Sequence, residues 1–209
     1  MLAGNVVNGA NPQTLRTIVP TSGNQILGVP FLTFNNNVRE AGVRQFYTMH
    51  AALYRKQLSL IAEWQTGSQE YALANSIQQR TKVPVEGFYV QGGYFITGET
   101  VTGRNVVNPI HNFDLRPGYR GIGAIELTAR YNYLNIGQGQ QVFNQGLADA
   151  NTSARNLYTT DVGVNWSWTQ NIKWTFDWEH AEFGNPVVFA PGRTQKTSDL
   201  YLLRMQLFF

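Results

Sequence analysis

The chain has 209 residues, of which only 14% are charged, with a formal net charge of +3 and no cysteine. Soluble domains usually carry about 25% charged residues, so the composition argues against a surface solvated all round. The missing cysteines exclude disulfides and thiolate chemistry. The small charge without a basic cluster excludes a nucleic-acid partner, and no apolar run is long enough for a membrane-crossing helix.

Residues 1–28 are rich in Asn, Gly, Thr and Pro and read as an irregular N-terminal segment. From residue 29 onward, period-two segments alternate with turn-rich stretches, which predicts strands over 29–209. A short strand is expected near 30–36. In 44–54, Tyr47, Met49, Ala51 and Leu53 share a face. Leu58, Leu60, Ala62 and Trp64 then oppose Ser59, Ile61, Glu63 and Gln65. Phe88, Val90, Tyr94 and Ile96 oppose Tyr89, Gln91 and Phe95, with Gly87, Gly92 and Gly93 interspersed. The clearest alternation sets Ile125, Leu127, Ala129, Tyr131 and Tyr133 against Glu126, Thr128, Arg130 and Asn132. Tyr158, Val162, Val164, Trp166 and Trp168 oppose Asp161, Gly163, Asn165 and Ser167. Ile172, Trp174, Phe176 and Trp178 oppose Lys173, Thr175, Asp177 and Glu179. The last strand sets Tyr201, Leu203, Met205, Leu207 and Phe209 against Arg204 and Gln206. The total is roughly eight strands of about 7–12 residues, the length that a tilted membrane strand needs. The fold class read from this pattern is all-β, an antiparallel transmembrane β-barrel.

The connections alternate in length. Arg55-Lys56-Gln57 and Thr169-Gln-Asn171 are short, whereas 137–156 and 184–197 are long, polar and rich in Gly, Asn or Pro. Outer-membrane barrels pair short periplasmic turns with long outer loops. With the C-terminus in the periplasm, 184–197 and 137–156 both fall outside. Segment 97–121 falls on the periplasmic side and is long; it either folds inward or hides two short strands. Across the turn at 169–171, the register predicts Trp166 facing Trp174 and Val164 facing Phe176. Such aromatic and aromatic–β-branched pairs contribute roughly 0.2–1 kcal/mol each.

The polar face collects Arg44, Glu63, Glu126, Arg130, Asp161, Lys173, Asp177, Glu179 and Arg204 as pore-lining candidates. Asp161 is expected opposite Glu179 or Asp177. Like charges directly opposite are destabilising, which predicts a transverse ladder Arg130–Asp161–Glu179/Asp177–Arg204. The alternative is that these are solvated wall charges bracing the barrel. His50, His111 and His180 lack ligand spacing, no nucleophile motif is present, and Gly121-Ile-Gly123 lacks the context of a dinucleotide site. No cofactor, metal or enzymatic activity is expected.

Gly87-Phe-Tyr-Val-Gln-Gly-Gly-Tyr-Phe-Ile-Thr-Gly-Glu99 resembles a signature of the phosphate-selective porin O and P family. So do Glu126-Leu-Thr-Ala-Arg-Tyr131, Gly163-Val-Asn-Trp166 and Asn171-Ile-Lys-Trp174. The resemblance implies sixteen-stranded, trimeric channels of the bacterial outer membrane that pass phosphate or related anions. This chain then corresponds to the C-terminal half of such a barrel. Met1–Ala10 has neither the basic nor the apolar stretch of an export signal, which fits a processed chain or a C-terminal piece. The alternating C-terminal residues Tyr201, Leu203, Met205, Leu207 and Phe209 resemble the signal read by the barrel-assembly machinery. Expected partners are outer-membrane lipid, that machinery, small anions or polar solutes, and two further copies in a homotrimer. Four basic against five acidic candidates do not make an anion funnel, so the resemblance supports a porin more than it supports phosphate. The rival readings are a closed, non-conducting eight-stranded barrel serving as anchor or adhesion module, and a soluble β-sandwich that binds ligands through its loops.

Overall fold

The computed structural model describes residues 2–5, 9–17, 28–118 and 121–208. Its elements are β1 (Leu2–Asn5), β2 (Leu15–Arg16), β3 (Pro30–Leu32), β4 (Val38–Arg55), β5 (Leu58–Leu73), β6 (Thr81–Phe95), β7 (Ala124–Ile136), α1 (Gln141–Asn144), β8 (Asn156–Ser167), β9 (Ile172–Ala190) and β10 (Arg193–Leu207). The fold is all-β. Eight strands form one antiparallel sheet in the order β1-β4-β5-β6-β7-β8-β9-β10, and β2 and β3 form a separate two-stranded piece.

Alternation dictates how the sheet divides its side chains. One face is apolar and uncovered. Met49 is 69% exposed, Leu203 68%, Phe176 48% and Val162 47%. Two aromatic rows bound this face. Phe88, Tyr133 and Tyr158 form the upper one, with ring centroids 5.6 and 5.1 Å apart. Trp166, Trp168 and Trp174 form the lower one, at 5.4 and 5.8 Å. Along β8 the rows are separated by the rise from Tyr158 to Trp166, about 26 Å at the usual rise per strand residue. At the tilt of 35–45° usual for membrane-barrel strands that length spans about 20 Å of height, which fits within the apolar band, roughly 25 Å tall, of a membrane barrel. A soluble sandwich buries such a face, so this arrangement overturns the sandwich reading.

The opposite, inner face is covered in part by chain that folds onto it. At the upper rim, Phe31, Leu32, Val38, Val83, Val142, Leu147, Leu157 and Val187 join in one buried core. β3 packs against β9, and the connection after β7 contributes Val142 and Leu147. At the lower rim, which carries the Lys56-Gln57 turn and Phe208, the connection between β6 and β7 covers the inner face.

Four expectations need correction. The short strand near 30–36 is β3, which lies outside the large sheet; the eighth strand of that sheet is β1, paired from Leu2↔Phe46 to Asn5↔Val43. The N-terminal segment is therefore not irregular throughout, because an edge strand needs only backbone partners and no side-chain period; residues 6–8 and 18–27 of that reading lie outside the described residues. Residues 184–197 are not a loop. β9 and β10 run on to a two-residue turn at Pro191-Gly192, where Gly192 has φ 72°. The breakers Gly184-Asn-Pro186 sit in a bulge, between the Glu182↔Thr197 and Val187↔Gln195 pairs. A bulge accommodates a proline that cannot donate to the ladder, and fully buried Val187 anchors the strand beyond it. Finally, β1 and β10 are edges and do not pair with each other among the described residues. The sheet is open, against the closed eight-stranded rival. The bore of such a barrel is only wide enough for its own side chains, and here the inner face also holds two inward-folded connections.

Candidate functional site on the inner face

Arg44, Glu63, Glu126, Arg130, Asp161, Lys173, Asp177, Glu179 and Arg204 all sit on the inner face, carried by six strands. The hairpin after β8 pairs Trp166 with Trp174 and Val164 with Phe176, which puts Asp161 directly opposite Glu179 and also opposite Arg130. Asp177 faces Gly163, and Arg204 faces Thr175. The transverse ladder is therefore a row of three, with Arg204 offset from it.

Its members are not joined by ion pairs among the described residues. Arg130 Nε donates instead to Asn132 Oδ1 at 2.6 Å. Asn132 Nδ2 donates to Asp161 Oδ2 at 3.0 Å and to Thr159 Oγ1 at 2.6 Å. The Arg130 guanidinium lies over the Tyr89 ring, 4.2 Å from its centroid, and the Tyr89 hydroxyl reaches Glu63 at 3.4 Å. Nearby, Asn165 Nδ2 donates to Glu126 at 2.8 Å and Arg204 to Gln206 at 2.8 Å. Arg44 donates to Gln69 at 2.9 Å and pairs with Glu40 at 3.4 Å.

The charges differ in access. Asp161, Asp177 and Glu179 are 5%, 9% and 3% exposed, whereas Arg130, Lys173 and Arg204 are only half-buried. Glycine makes the room for this. A Cβ at 163 would collide with the Asp177 carboxylate, and one at 93 with that of Glu126. Glu179 lies beside buried Thr17 of the N-terminal segment. Asp161 Oδ1 and Glu179 Oε2 meet no donor among the described residues. A cavity of about 170 Å³ opens beside Arg130, Lys173, Arg204, Asp161, Asp177 and Thr175.

The connection at 96–123 holds no strand among its described residues; a bridge pairs Asp114 with Gly121. It is tied down along its length. Val101 N–H donates to Lys56 O at 2.7 Å and Ile125 N–H to Thr97 Oγ1 at 2.9 Å. Glu99, 4% exposed, accepts from Thr97 and, at 3.2 Å, from Ile110 N–H. Phe113 N–H donates to Trp168 O at 2.8 Å, and its ring stacks on Trp168 at 4.8 Å. Between these ties, residues 101–107 lie against Tyr54, Ile61, Phe95, Glu126, Lys173 and Gln206, around a cavity of about 380 Å³. Of the two expectations for this segment, the inward fold is the one observed. Arg104 lines this cavity together with Tyr54, Glu126 and Lys173. Sequence reasoning had placed Tyr89 on the inner face but missed Arg104, because nothing in an aperiodic segment tells which way its cation points.

The C-terminal residues Tyr201, Leu203, Met205 and Leu207 project from β10 on the apolar face and are at least half exposed; Phe209 lies outside the described residues. No group of three or more His, Asp or Glu that could hold a metal occurs among the described residues.

A family model, phosphate-selective porin O and P, matches residues 18–182. No curated protein matches the chain.

Proposed function

We propose that this chain, which belongs to the phosphate-selective porin O and P family, forms part of the wall of a water-filled channel in the bacterial outer membrane. Small polar solutes and anions, phosphate among them, cross it by passive diffusion. It works as a channel wall and not as an enzyme. The observation that carries this reading is the unequal access of the inner-face charges: the carboxylates of β8 and β9 are buried, while Arg44 is exposed and Arg130, Lys173 and Arg204 are only half-buried. A solute in the lumen meets more positive than negative charge, although the residue types are nearly balanced. Fixed charges lining a narrow aqueous passage bias which ions enter.

The two free sheet edges support a larger closed barrel, since unpaired strand edges do not persist in lipid. A homotrimer of sixteen-stranded barrels, delivered by the assembly machinery through the C-terminal strand, is the assembly we propose. The test is planar-bilayer conductance with reversal potentials in a KCl gradient. Stepwise conductance with an anion-biased reversal potential is expected. Cation-biased steps would remove the anion reading, and a folded but silent protein would remove the channel.

A further inference from the structure

The connection between β6 and β7 does not stay on the inner face along its whole length. Residues 101–107 lie there, but the following part returns across the lower rim to the apolar, outer face. Phe113 marks the crossing. Its ring stacks on Trp168 at 4.8 Å and meets Trp166 edge-on at 5.3 Å, and both tryptophans belong to the lower aromatic row. Phe113 N–H donates to Trp168 O at 2.8 Å, and Trp166 Nε1 donates to Ile122 O at 2.7 Å. Gly123 N–H donates to His111 O at 3.1 Å and Asp114 N–H to Gly121 O at 3.0 Å. Residues 111–114 and 121–123 are therefore held to each other and to the tryptophan row as one unit. The side chains that this unit presents are apolar and uncovered. Leu115 is 82% exposed, well above Met49, the most exposed large apolar side chain of the wall at 69%. Ile110 and Ile122 are more than half exposed, as is Ile96 just beyond β6. Leu115 stands between Asp114 and Arg116, which pair at 2.6 Å. An apolar side chain flanked by charged ones fits the membrane interface, where headgroups solvate the charges and the acyl boundary takes the apolar group.

We propose that Ile110, Leu115 and Ile122 form an interfacial foot seated in the phospholipid headgroup layer at the lower rim, with Leu115 reaching the acyl boundary and Phe113 as the positioning residue. The occupant is the lipid surface of the periplasmic leaflet, because the foot is continuous, through Phe113, with the tryptophan girdle of the wall. The inference rests on the membrane reading above. A wall that carries such a foot is fixed in depth from outside its lumen, by a segment that the strand pattern does not include.

The test uses the full chain reconstituted in phosphatidylcholine vesicles. The chain is free of cysteine, so an environment-sensitive fluorophore can be attached at one position at a time. Three variants are compared: Leu115→Cys in the foot, Asn105→Cys in the inward part of the same connection, and Leu203→Cys on the apolar face of the wall. Lipids brominated near the headgroup are expected to lower emission at 115 roughly twofold or more and to leave emission at 105 unchanged. Lipids brominated along the chain should lower emission at 203. Adding Phe113→Ala should bring the value at 115 back toward that at 105; equal quenching with and without it would overturn the role of Phe113. Emission at 115 that responds to iodide on both sides of the membrane and not to brominated lipid overturns the foot in favour of open water. Protection from both quenchers overturns it in favour of a protein cover, a second copy included. Quenching at 203 without quenching at 115 removes the foot alone, whereas loss of quenching at both removes the membrane reading on which it rests.

Discussion

Gly163 shows how a residue without a side chain decides what a pore lining presents. The Asp177 carboxylate rests where a Cβ at 163 would stand, with Phe176 O at 2.8 Å and Thr128 Oγ1 at 3.0 Å from the same point. Gly163→Val must push the carboxylate outward into the lumen. The expected outcome is a weaker anion preference in reversal-potential measurements and a loss of roughly 1–3 kcal/mol in urea unfolding, the usual cost of overpacking. Asn132 makes a different point. Its amide stands between Arg130 and Asp161, so a direct ion pair is replaced by a relay of two hydrogen bonds. Asn132→Leu strips Asp161 Oδ2 of its donor, and a buried acceptor without a partner costs about 1–3 kcal/mol. Urea titration of the folded protein in detergent measures it; an unchanged midpoint would mean that the relay carries no stability.

At the scale of elements, the connection between β6 and β7 and the bulge in β9 are the informative pieces. The connection has no periodicity, and its course over the inner face is set by Glu99, which accepts from both Thr97 and Ile110. Glu99→Leu removes that staple. Trypsin should then cut after Arg104 faster in folded protein than it does in the wild type, and resistance equal to wild type would show that the remaining ties suffice. The lower aromatic row makes a prediction about depth. Trp166, Trp168 and Trp174 cluster at the rim, where tryptophans of membrane barrels form a girdle at the interface. Their fluorescence should be quenched more by lipids brominated near the headgroup than by lipids brominated at the chain end. The reverse order would place the row at mid-bilayer and break the match between strand length and membrane thickness.

On the scale of the whole molecule, the sheet leaves β1 and β10 unpaired with each other among the described residues, and its apolar face is exposed there. A free edge in lipid recruits another strand. The 209-residue chain taken alone is therefore expected to migrate in detergent as multimers held through these edges, and a folded monomer by light scattering would contradict this. Much of this architecture was legible beforehand. Period-two alternation placed β5 to β10, because the pleat ties every second side chain to one environment. The hairpin register across 169–171 followed from turn length alone, since pairing across a tight turn leaves little choice. The sequence by itself thus determined the strand positions, the two faces and the hairpin register that narrows the partner of Asp161 to Glu179 or Asp177, all of which follow from local geometry repeated along the chain. Only the tertiary structure decided that Asp161 faces Glu179 and that Asp161, Asp177 and Glu179 are buried while Arg130, Lys173 and Arg204 are half-buried, that Gly184-Asn-Pro186 is a bulge and no loop, and that residues 101–107 lie against the inner face. Each of these depends on what a distant segment lays over the sheet, and burial by a partner many residues away leaves no period in the chain that is buried.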